Sequence, residues 1–571
     1  MAPGPVVHRP KRWNIAEPPP AELQASLPDV HPLLLRLLYN RGVTQAEDFQ
    51  RFHAASYADL HDPFLMPHME HAVDRLFAAA RQGEVVCVYG DFDADGVTGS
   101  AILHRALGGL GMTPRSYIPK RLEEGYGLHQ AALEALANDG VRVVITVDCG
   151  ITSVDEIARA SELGMDVIVC DHHKLPAELP PALALLHPGL GGYPFASLCA
   201  AGVTFKLAQA LYLAAPRSVP EAVDPELLTD FAAIGTLADM VPLQGENRVI
   251  VQQGLERLRS EPSFGLRTMI ELAGIDQRRL TCGDVSFSLA PHINASGRLD
   301  DASLAFRLMV TRDEAEAGEL AARLRELNLE RQRLTQQVLA AARLQVLAAD
   351  PGQLAYVVAG EGWTPGVVGL VAGRLTEEFG RPVFAMELGA DVCRGSARSV
   401  AGFDLVEAMG TCAALLTRFG GHARAAGFTL PRAAYEDFSR RIVACAGVTL
   451  TPRDVEPALE IDSELKPRHL NWDIYRAVQQ AAPFGTGNPT PLFLIRGLRA
   501  QRASAAGNHL RLTFLAGRQV IDGFAYGLGD CASEIRRQPE LDVVFELNAS
   551  GYKGYETLEL RVRDWCGRDN N

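Results

Sequence analysis

The sequence predicts an α/β protein of several domains: a parallel-sheet domain, a smaller α/β domain joined to it by a long helix, and a C-terminal β-barrel. Three observations predict this. From Glu84 onward, short β-branched runs alternate with amphipathic stretches, the pattern of strand-helix-strand units on a parallel sheet. After Thr311 a breaker-poor segment keeps helical periodicity for roughly 35 residues, and the C-terminal stretch then switches to period-2 alternation. With 571 residues the chain exceeds one ordinary core, so division into domains follows from size alone.

The parallel sheet is marked by Glu84-Val85-Val86-Cys87-Val88-Tyr89, Arg142-Val143-Val144-Ile145-Thr146-Val147 and Asp166-Val167-Ile168-Val169-Cys170. Each run is followed, directly or after one glycine, by an aspartate. The long helix opens on a capping box of Thr311 with Glu314 and carries Leu320, Leu324, Leu327, Leu334 and Val338. Its predicted length, about 50 Å at 1.5 Å per residue, suits a connector between two domains, with a core helix of the first domain as the alternative. In the last part, Leu510 to Phe514, Val520 to Tyr526, Val543 to Leu547 and Leu558 to Val562 read as short strands of a small antiparallel barrel, for which the five-stranded oligonucleotide-binding barrel is one candidate.

Composition bounds the function. A chain with 47% hydrophobic and 22% charged residues, and no apolar run near the roughly 20 residues of a membrane span, is a soluble globular protein without a membrane location. The stretch from Met1 to Trp13 lacks the apolar core of a secretory signal. The ten cysteines are scattered singly, which excludes zinc ribbons and points to a reducing cytoplasm. A net charge of −14 weighs against nucleic-acid binding, because counterion release rewards basic surfaces. Binding is decided by a local groove, however, and a cation-holding carboxylate cluster is itself a source of negative charge.

Such a cluster follows the first strand, in Gly90-Asp91-Phe92-Asp93-Ala94-Asp95-Gly96. If strand-like, the three carboxylates would share one face and repel, a cost that a bound cation offsets. Oxygen-only donors favour magnesium or manganese. A helix-loop-helix calcium site is excluded, since Ile102 stands where its bidentate Glu belongs. Asp148 ends the second run and Asp171 the third, with His172 and His173 immediately after. Strand C-termini of an open parallel sheet share one edge, so these segments can converge. Alone, Asp171-His172-His173 reads equally as a helix cap followed by solvated histidines. Asp239 ends the apolar stretch 231–238; alone it reads as a cap for the turn at Val241-Pro242, although a buried carboxylate needs a partner or a metal.

These motifs, Asp91-x-Asp93-x-Asp95-Gly96, Asp148-Cys149-Gly150, Asp171-His172-His173, Gly235-Thr236-x-x-Asp239 and the distal Gly420-Gly421-His422, resemble in order and approximate spacing the DHH phosphoesterase superfamily. Within it, the chain is similar to the RecJ single-strand-specific exonucleases over residues 85–562. The resemblance implies an N-terminal segment, 1–75, packing on the catalytic domain; a DHH catalytic domain, 76–310; a connecting helix, 311–348; a DHHA1-type domain, 349–450; and an OB-fold nucleic-acid-binding domain, 455–571.

It also implies two divalent ions, Mn2+ or Mg2+, held by Asp91, Asp93, Asp95, Asp148, His172 and Asp239. Asp148 would bridge, Asp93 would serve one ion, and Asp95, His172 and Asp239 the other. Two such ions lower the pKa of water and supply a nucleophile at neutral pH. Hydrolysis in the 5′-to-3′ direction would release 5′-mononucleotides from single-stranded DNA in recombination and repair, with Asp148, Asp93 and His173 catalytic and His173 against the scissile phosphate.

Two segments, Asn294-Ala295-Ser296-Gly297-Arg298 and Ser396-Ala397-Arg398-Ser399, read as polar turns suited to phosphate. Any single Arg is more often a surface salt-bridge partner. By the resemblance, Asn294, Arg298, Ser396 and Arg398 contact the DNA strand, with Arg121 at a 5′ phosphate and His422 where the second domain closes over the substrate. Tyr126, Phe287 and Trp363 are available for stacking, although aromatics are more often core. The implied partners are single-stranded DNA with a 5′ end, a single-strand-binding protein and a helicase, with the enzyme a cytoplasmic monomer. Tyr89 occupies a place where some superfamily members have a histidine ligand. A small-substrate phosphoesterase is disfavoured by the C-terminal barrel, and a non-catalytic nucleic-acid-binding relative by the complete carboxylate set.

Overall fold

In a computed structural model of the chain, residues 11–53, 56–121, 123–215, 224–516, 519–538, 540–552 and 555–567 are described. They divide into two units, residues 56–455 and residues 1–55 together with 456–571.

The larger unit opens on a five-stranded sheet, parallel throughout, in the order Arg115–Tyr117, Val85–Gly90, Val141–Val147, Asp166–Cys170, Ala184–Leu186. Alternate residues feed two cores. Val86, Val88, Val143, Ile145 and Ile168 join one cluster, and Cys87, Tyr89, Val144, Val167 and Val169 the other. Helices cover both faces, which is why these strands are near-continuous apolar runs. Chain order reverses between Val85–Gly90 and Val141–Val147, so their C-terminal tips flank a topological switch point, where open α/β sheets bind ligands.

The predicted long helix spans Glu314–Ala348, 35 residues. It is a shared core element as well as a connector. Ala317, Leu320, Ala321 and Leu324 complete the first core, while Val338, Ala342 and Val346 pack with Tyr356, Val358 and Val367 of the next domain. Its cap is Asp313, which accepts the Glu316 N–H at 2.8 Å. The predicted Thr311–Glu314 box is thereby corrected: Thr311 Oγ1 instead donates to the Glu316 carboxylate at 2.6 Å. The second domain is built on a mixed sheet in the order Arg418–His422, Ala425–Pro431, Val392–Arg398, Val383–Leu388, Tyr356–Gly360.

The smaller unit contains the barrel. Strands follow the order Phe493–Ala506, His509–Ala516, Gln519–Ala525, Tyr555–Gly567, Leu541–Tyr552, and the last pairs back with the first, closing five strands in oligonucleotide-binding-fold topology. Sequence periodicity missed the first strand because bulges at Ile495/Leu498 and Ala500/Arg502 break its alternation.

The expected N-terminal segment 1–75 divides. Leu33 and Leu37, on the helix Pro32–Tyr39, enter the barrel core beside Phe493 and Leu541, and Arg12–Ile15 pairs with Ala458–Ile461. Only from residue 56 does the chain join the catalytic-domain core, through Met66, Met69, Ala72 and Val73. Five buried leucines on an eight-residue helix need apolar cover on more than one side, and the barrel supplies part of it. Residues 1–10 of the predicted segment lie outside the described residues. Leu37→Ala should therefore destabilise the barrel by roughly 2–5 kcal/mol. Denaturant unfolding followed by tryptophan fluorescence would show an earlier barrel transition; an unchanged one would contradict this packing.

Candidate metal centre

The site forms where the strand tips meet. Asp91 N–H donates to Val147 O at 3.0 Å, Asp148 N–H to Cys170 O at 3.0 Å, and Asp171 N–H to Leu186 O at 3.2 Å. Each aspartate thus extends the ladder of its neighbour by one step.

The acidic loop is a strand-to-helix turn rather than a continued strand. Val85–Gly90 stops, and Asp93 caps the helix Ala94–Gly109 by accepting from Asp95 N–H at 2.9 Å and Gly96 N–H at 3.2 Å. Gly96 is needed here because a Cβ would lie 2.6 Å from Asp91 O and 2.7 Å from Asp91 N. Asp95 is fixed from another direction: Ala200 and Ala201 N–H, opening the helix Ala200–Ala214, each donate to it at 2.8 Å. Gly235 lies against it, and a Cβ there would sit 2.7 Å from Asp95 Oδ1 and 2.4 Å from Ala201 Cβ.

Asp148 has φ +63°, a left-handed conformation that costs a non-glycine residue of order 1–3 kcal/mol. Its backbone is held by the Cys170 bond and by the Tyr126 hydroxyl, which donates to Asp148 O at 3.0 Å. Asp239 stands at the C-terminus of the helix Thr229–Ala238 and turns to the same place.

Three triads of ligand atoms lie within 4.8 Å of one another: Asp91, Asp93 and Asp148; Asp95, His172 and Asp239; and Asp148, His172 and His173. His172 Nε2 is 3.2 Å from Asp148 Oδ1, 3.6 Å from Asp239 Oδ2 and 3.8 Å from Asp95 Oδ2. All six residues expected as ligands are therefore together. Asp91 Oδ1, Asp148 Oδ1 and His172 Nε2 are buried without a hydrogen-bond partner. Orphaned acceptors of this kind, mostly carboxylate oxygens, fit a pair of hard divalent cations. Tyr89 is not among them: fully buried, it donates to Gly127 O at 3.2 Å and stacks on Tyr117.

Electrostatics divides the groups into two sets. Burial, then Asp95 and Asp93, pushes Asp239 up to about 8; burial and Asp93 push Asp95 up to about 6. Asp91 and Asp148 are raised well above the carboxylate range by burial and their acidic neighbours. Burial and the His173 charge hold His172 down at about 4, so it is a neutral imidazole ready to donate a lone pair.

Asp171, by contrast, faces away from the cluster. It accepts from Ile151, His172 and His173 N–H and meets His173 Nδ1 at 2.8 Å. Burial opposes both charges of this pair, yet the hydrogen bond and mutual attraction hold Asp171 at about 2 and raise His173 to about 9. His173 is thus a positioned cation beside the carboxylates, stacked 6.0 Å from His422 of the second domain.

The two predicted phosphate segments lie on regular elements rather than turns, while Arg121 lies in a turn. Asn294 to Arg298 belongs to the helix Ala290–Leu299, whose buried Ala290, Ile293 and Gly297 face the core. Ser396 and Arg398 end the strand Val392–Arg398, whose Cys393 and Ala397 alternate inward. Asn294 Oδ1 accepts the Ala94 N–H at 2.7 Å, tying this helix to the acidic loop. Arg298 Nη1 donates to Gly366 O at 3.1 Å, and Arg121 stacks 4.9 Å over Phe92. Ser396 Oγ and Arg398 Nη2 lie against Gly369, 3.3 and 3.5 Å from the position of its absent Cβ. Burial, then Arg121, Arg331 and Arg398, lowers Arg298 to about 9. Of the aromatics, Trp363 is core, Phe287 is 86% exposed and Tyr126 is committed to Asp148 O. Sequence reasoning missed Asp171 as the holder of His173, Tyr126, and the amides of Ala200 and Ala201, for which residue type gives no signal.

The raised groups fix a pH dependence. Between pH 6.5 and 9, Asp239 at about 8 and His173 at about 9 both retain protons in the folded chain that the unfolded chain has released. Stability present at the lower pH is therefore lost as pH rises through these values. In chelator the thermal midpoint should fall from pH 6.5 to 9, and Mn2+ should raise it most at pH 9. Equal effects of Mn2+ at both ends would contradict this electrostatic account.

Comparison with known proteins places this geometry. Family models match residues 85–236 (DHH family, N-terminal domain), 351–447 (DHHA1 domain) and 461–564 (RecJ OB domain). The single-stranded-DNA-specific exonuclease RecJ of Bacillus subtilis (strain 168) is 37% identical over 564 residues, covering 97% of this chain and 70% of that protein. The RecJ of Thermus thermophilus is 36% identical over 566 residues, covering 97% and 78%. The crystal structure of the T. thermophilus protein in complex with Mn2+ superposes with a TM-score of 0.83 at 33% identity, covering 97% of this chain and 79% of that one; its Mg2+ complex gives 0.77. With two α/β domains, a five-stranded barrel and near-full-length identity of this order, the chain belongs to the RecJ family of single-stranded-DNA-specific exonucleases.

Proposed function

We propose that this chain is a single-stranded-DNA-specific exonuclease that removes 5′-mononucleotides in the 5′-to-3′ direction with two divalent ions, Mn2+ or Mg2+. One observation carries the reading: five aspartates and a neutral histidine meet at the sheet switch point, with buried acceptor atoms left unpartnered. Asp91, Asp93 and Asp148 would hold one ion, and Asp95, His172 and Asp239 the other, with Asp148 within reach of both groups. When bound, the two ions lower the pKa of water and neutralise the phosphate being cut.

The remaining steps belong to side chains. His173, kept protonated by Asp171, supplies positive charge to the scissile phosphate as it gains negative charge. The P–O3′ bond breaks, the water oxygen becomes part of the 5′ phosphate left on the shortened strand, and a proton goes to the 3′ oxygen of the released 5′-mononucleotide. Arg298, Ser396, Arg398 and Arg121 grip the terminal 5′ phosphate, and the spacing between that grip and the ions sets the product at one nucleotide. Asn294 aligns the arginine helix with the acidic loop, and His422 closes the second domain over His173.

Every metal residue comes from one chain, so a monomer suffices. The ten cysteines are free thiols, which suits a reducing cytoplasm. A helicase and a single-strand-binding protein would deliver the exposed 5′ strand that recombination and repair produce. A 5′-phosphorylated single strand, labelled at either end, tests the reading against its duplex in Mn2+, Mg2+ or chelator. The 5′ label should leave first as mononucleotide, the duplex and the chelated reaction should stay intact, and Asp148→Ala should slow release roughly 1000-fold. Undiminished release by Asp148→Ala, or release of the 3′ label first, would overturn it.

A further inference from the structure

Asn247 is completely buried in the first turn of the helix Gly245–Ser260, where a side-chain amide has to find partners inside the protein. It finds two. Asn247 Nδ2 donates to Ser197 O at 2.6 Å and to Pro242 O at 3.0 Å, while Oδ1 is left without a partner. The side chain is thus a double donor to two backbone carbonyls, and both carbonyls lie outside helix and strand. Gly245 permits the close approach: a Cβ there would stand 2.7 Å from Phe195 Cε2, so glycine lets the helix begin against the segment that carries Ser197.

Each of the two loops leads to a carboxylate of one group. Ser197 lies just before Cys199, the N-cap of the helix Ala200–Ala214, and the first two amides of that helix donate to Asp95 at 2.8 Å each. Displacing Ser197 displaces the amides that hold Asp95. Pro242 lies just after Asp239, with Met240 between them at φ +59°. A non-glycine residue keeps that left-handed conformation only where its surroundings enforce it, and the Met240 side chain, 70% exposed, supplies little packing to do so. The turn is held instead at its far end, where Pro242 O accepts from Asn247 and from Gln244 N–H at 2.9 Å. Asp95 and Asp239 form one triad of ligand atoms with His172. The other acidic triad, Asp91, Asp93 and Asp148, hangs on strand tips and on the helix that Asp93 caps, to which Asn247 makes no hydrogen bond among the described residues.

We propose that Asn247 is a positioning residue for one of the two ions: by tying Ser197 to Pro242 it fixes the spacing of Asp95 and Asp239, and so sets the affinity of the ion that these share with His172. This rests on the proposed two-ion reading. The amide touches neither ion nor substrate, and because it is neutral, its removal leaves the charge of the centre unaltered. Its loss therefore shows as weaker binding of one cation and not of both.

Calorimetric titration of the full-length chain with Mn2+, without substrate, tests this. The parent should bind two ions. In Asn247→Leu, which keeps the side-chain size and removes both donors, one ion should bind roughly 10-fold more weakly, the lower end of what losing a ligand's hydrogen-bonded support costs, and the other should be unchanged. In a His172→Ala background, where the ion concerned is already lost, Asn247→Leu should leave the remaining Mn2+ unaltered. Leu258→Ala, buried about three turns further along the same helix, separates positioning from general loosening: it should lower the thermal midpoint yet keep both binding constants. Unchanged constants in Asn247→Leu, equal weakening of both ions, a loss in the His172→Ala background, or the same weakening in Leu258→Ala would overturn the positioning role. A parent that binds fewer than two Mn2+ would instead overturn the two-ion reading beneath it. Should Asn247→Leu not fold, Asn247→Ala, which removes the same donors without risk of overpacking, carries the same expectation.

Discussion

Repulsion among carboxylates that cannot escape into water is the constraint on which the rest of the structure depends. Two carboxylates about 4 Å apart repel by roughly 4 kcal/mol at an effective dielectric of 20. A few such pairs rival the whole roughly 5–15 kcal/mol by which a domain is stable. Asp91, Asp93, Asp95, Asp148 and Asp239 are nevertheless held together by backbone features that do not relax: a strand ladder, a capped helix, two helix N-terminal amides on Asp95 and a left-handed Asp148. The scaffold is rigid so that cations, and not conformational change, relieve the repulsion.

The same logic separates the two histidines. Adjacent in sequence, they carry opposite protonation preferences because only His173 has Asp171 behind it. A neutral imidazole can offer a lone pair to a metal, and a charged one can stabilise developing negative charge. Arg298 and Arg398 crowd with Arg121 as desolvated cations, and Arg121 in turn faces Asp91 and Asp93 of the acidic cluster.

Much of this was legible in the sequence. Asp91, Asp148 and Asp171 each follow a β-branched run, and parallel-sheet topology alone brings such tips to one edge. The long helix was legible because few breakers interrupt its apolar spacing. What stayed hidden depended on partners rather than residue type. Nothing local says that Asp171 turns toward His173, that backbone amides 200 and 201 hold Asp95, or that Asn294 binds a loop amide. The phosphate residues were read as turns because glycine and serine dominate those stretches, whereas close packing at Gly297 and Gly369 places them on a helix and beside one. The packing of Leu33 and Leu37 into the barrel core likewise depends on partners that the local sequence does not name.

If two divalent cations share Asp148 at the sheet edge, electron paramagnetic resonance of the Mn2+-titrated chain should show two Mn2+ per chain with the spectrum of an exchange-coupled pair, uncoupled or reduced to one ion in Asp148→Asn. A single isolated Mn2+, or two uncoupled ions in the parent protein, would contradict it.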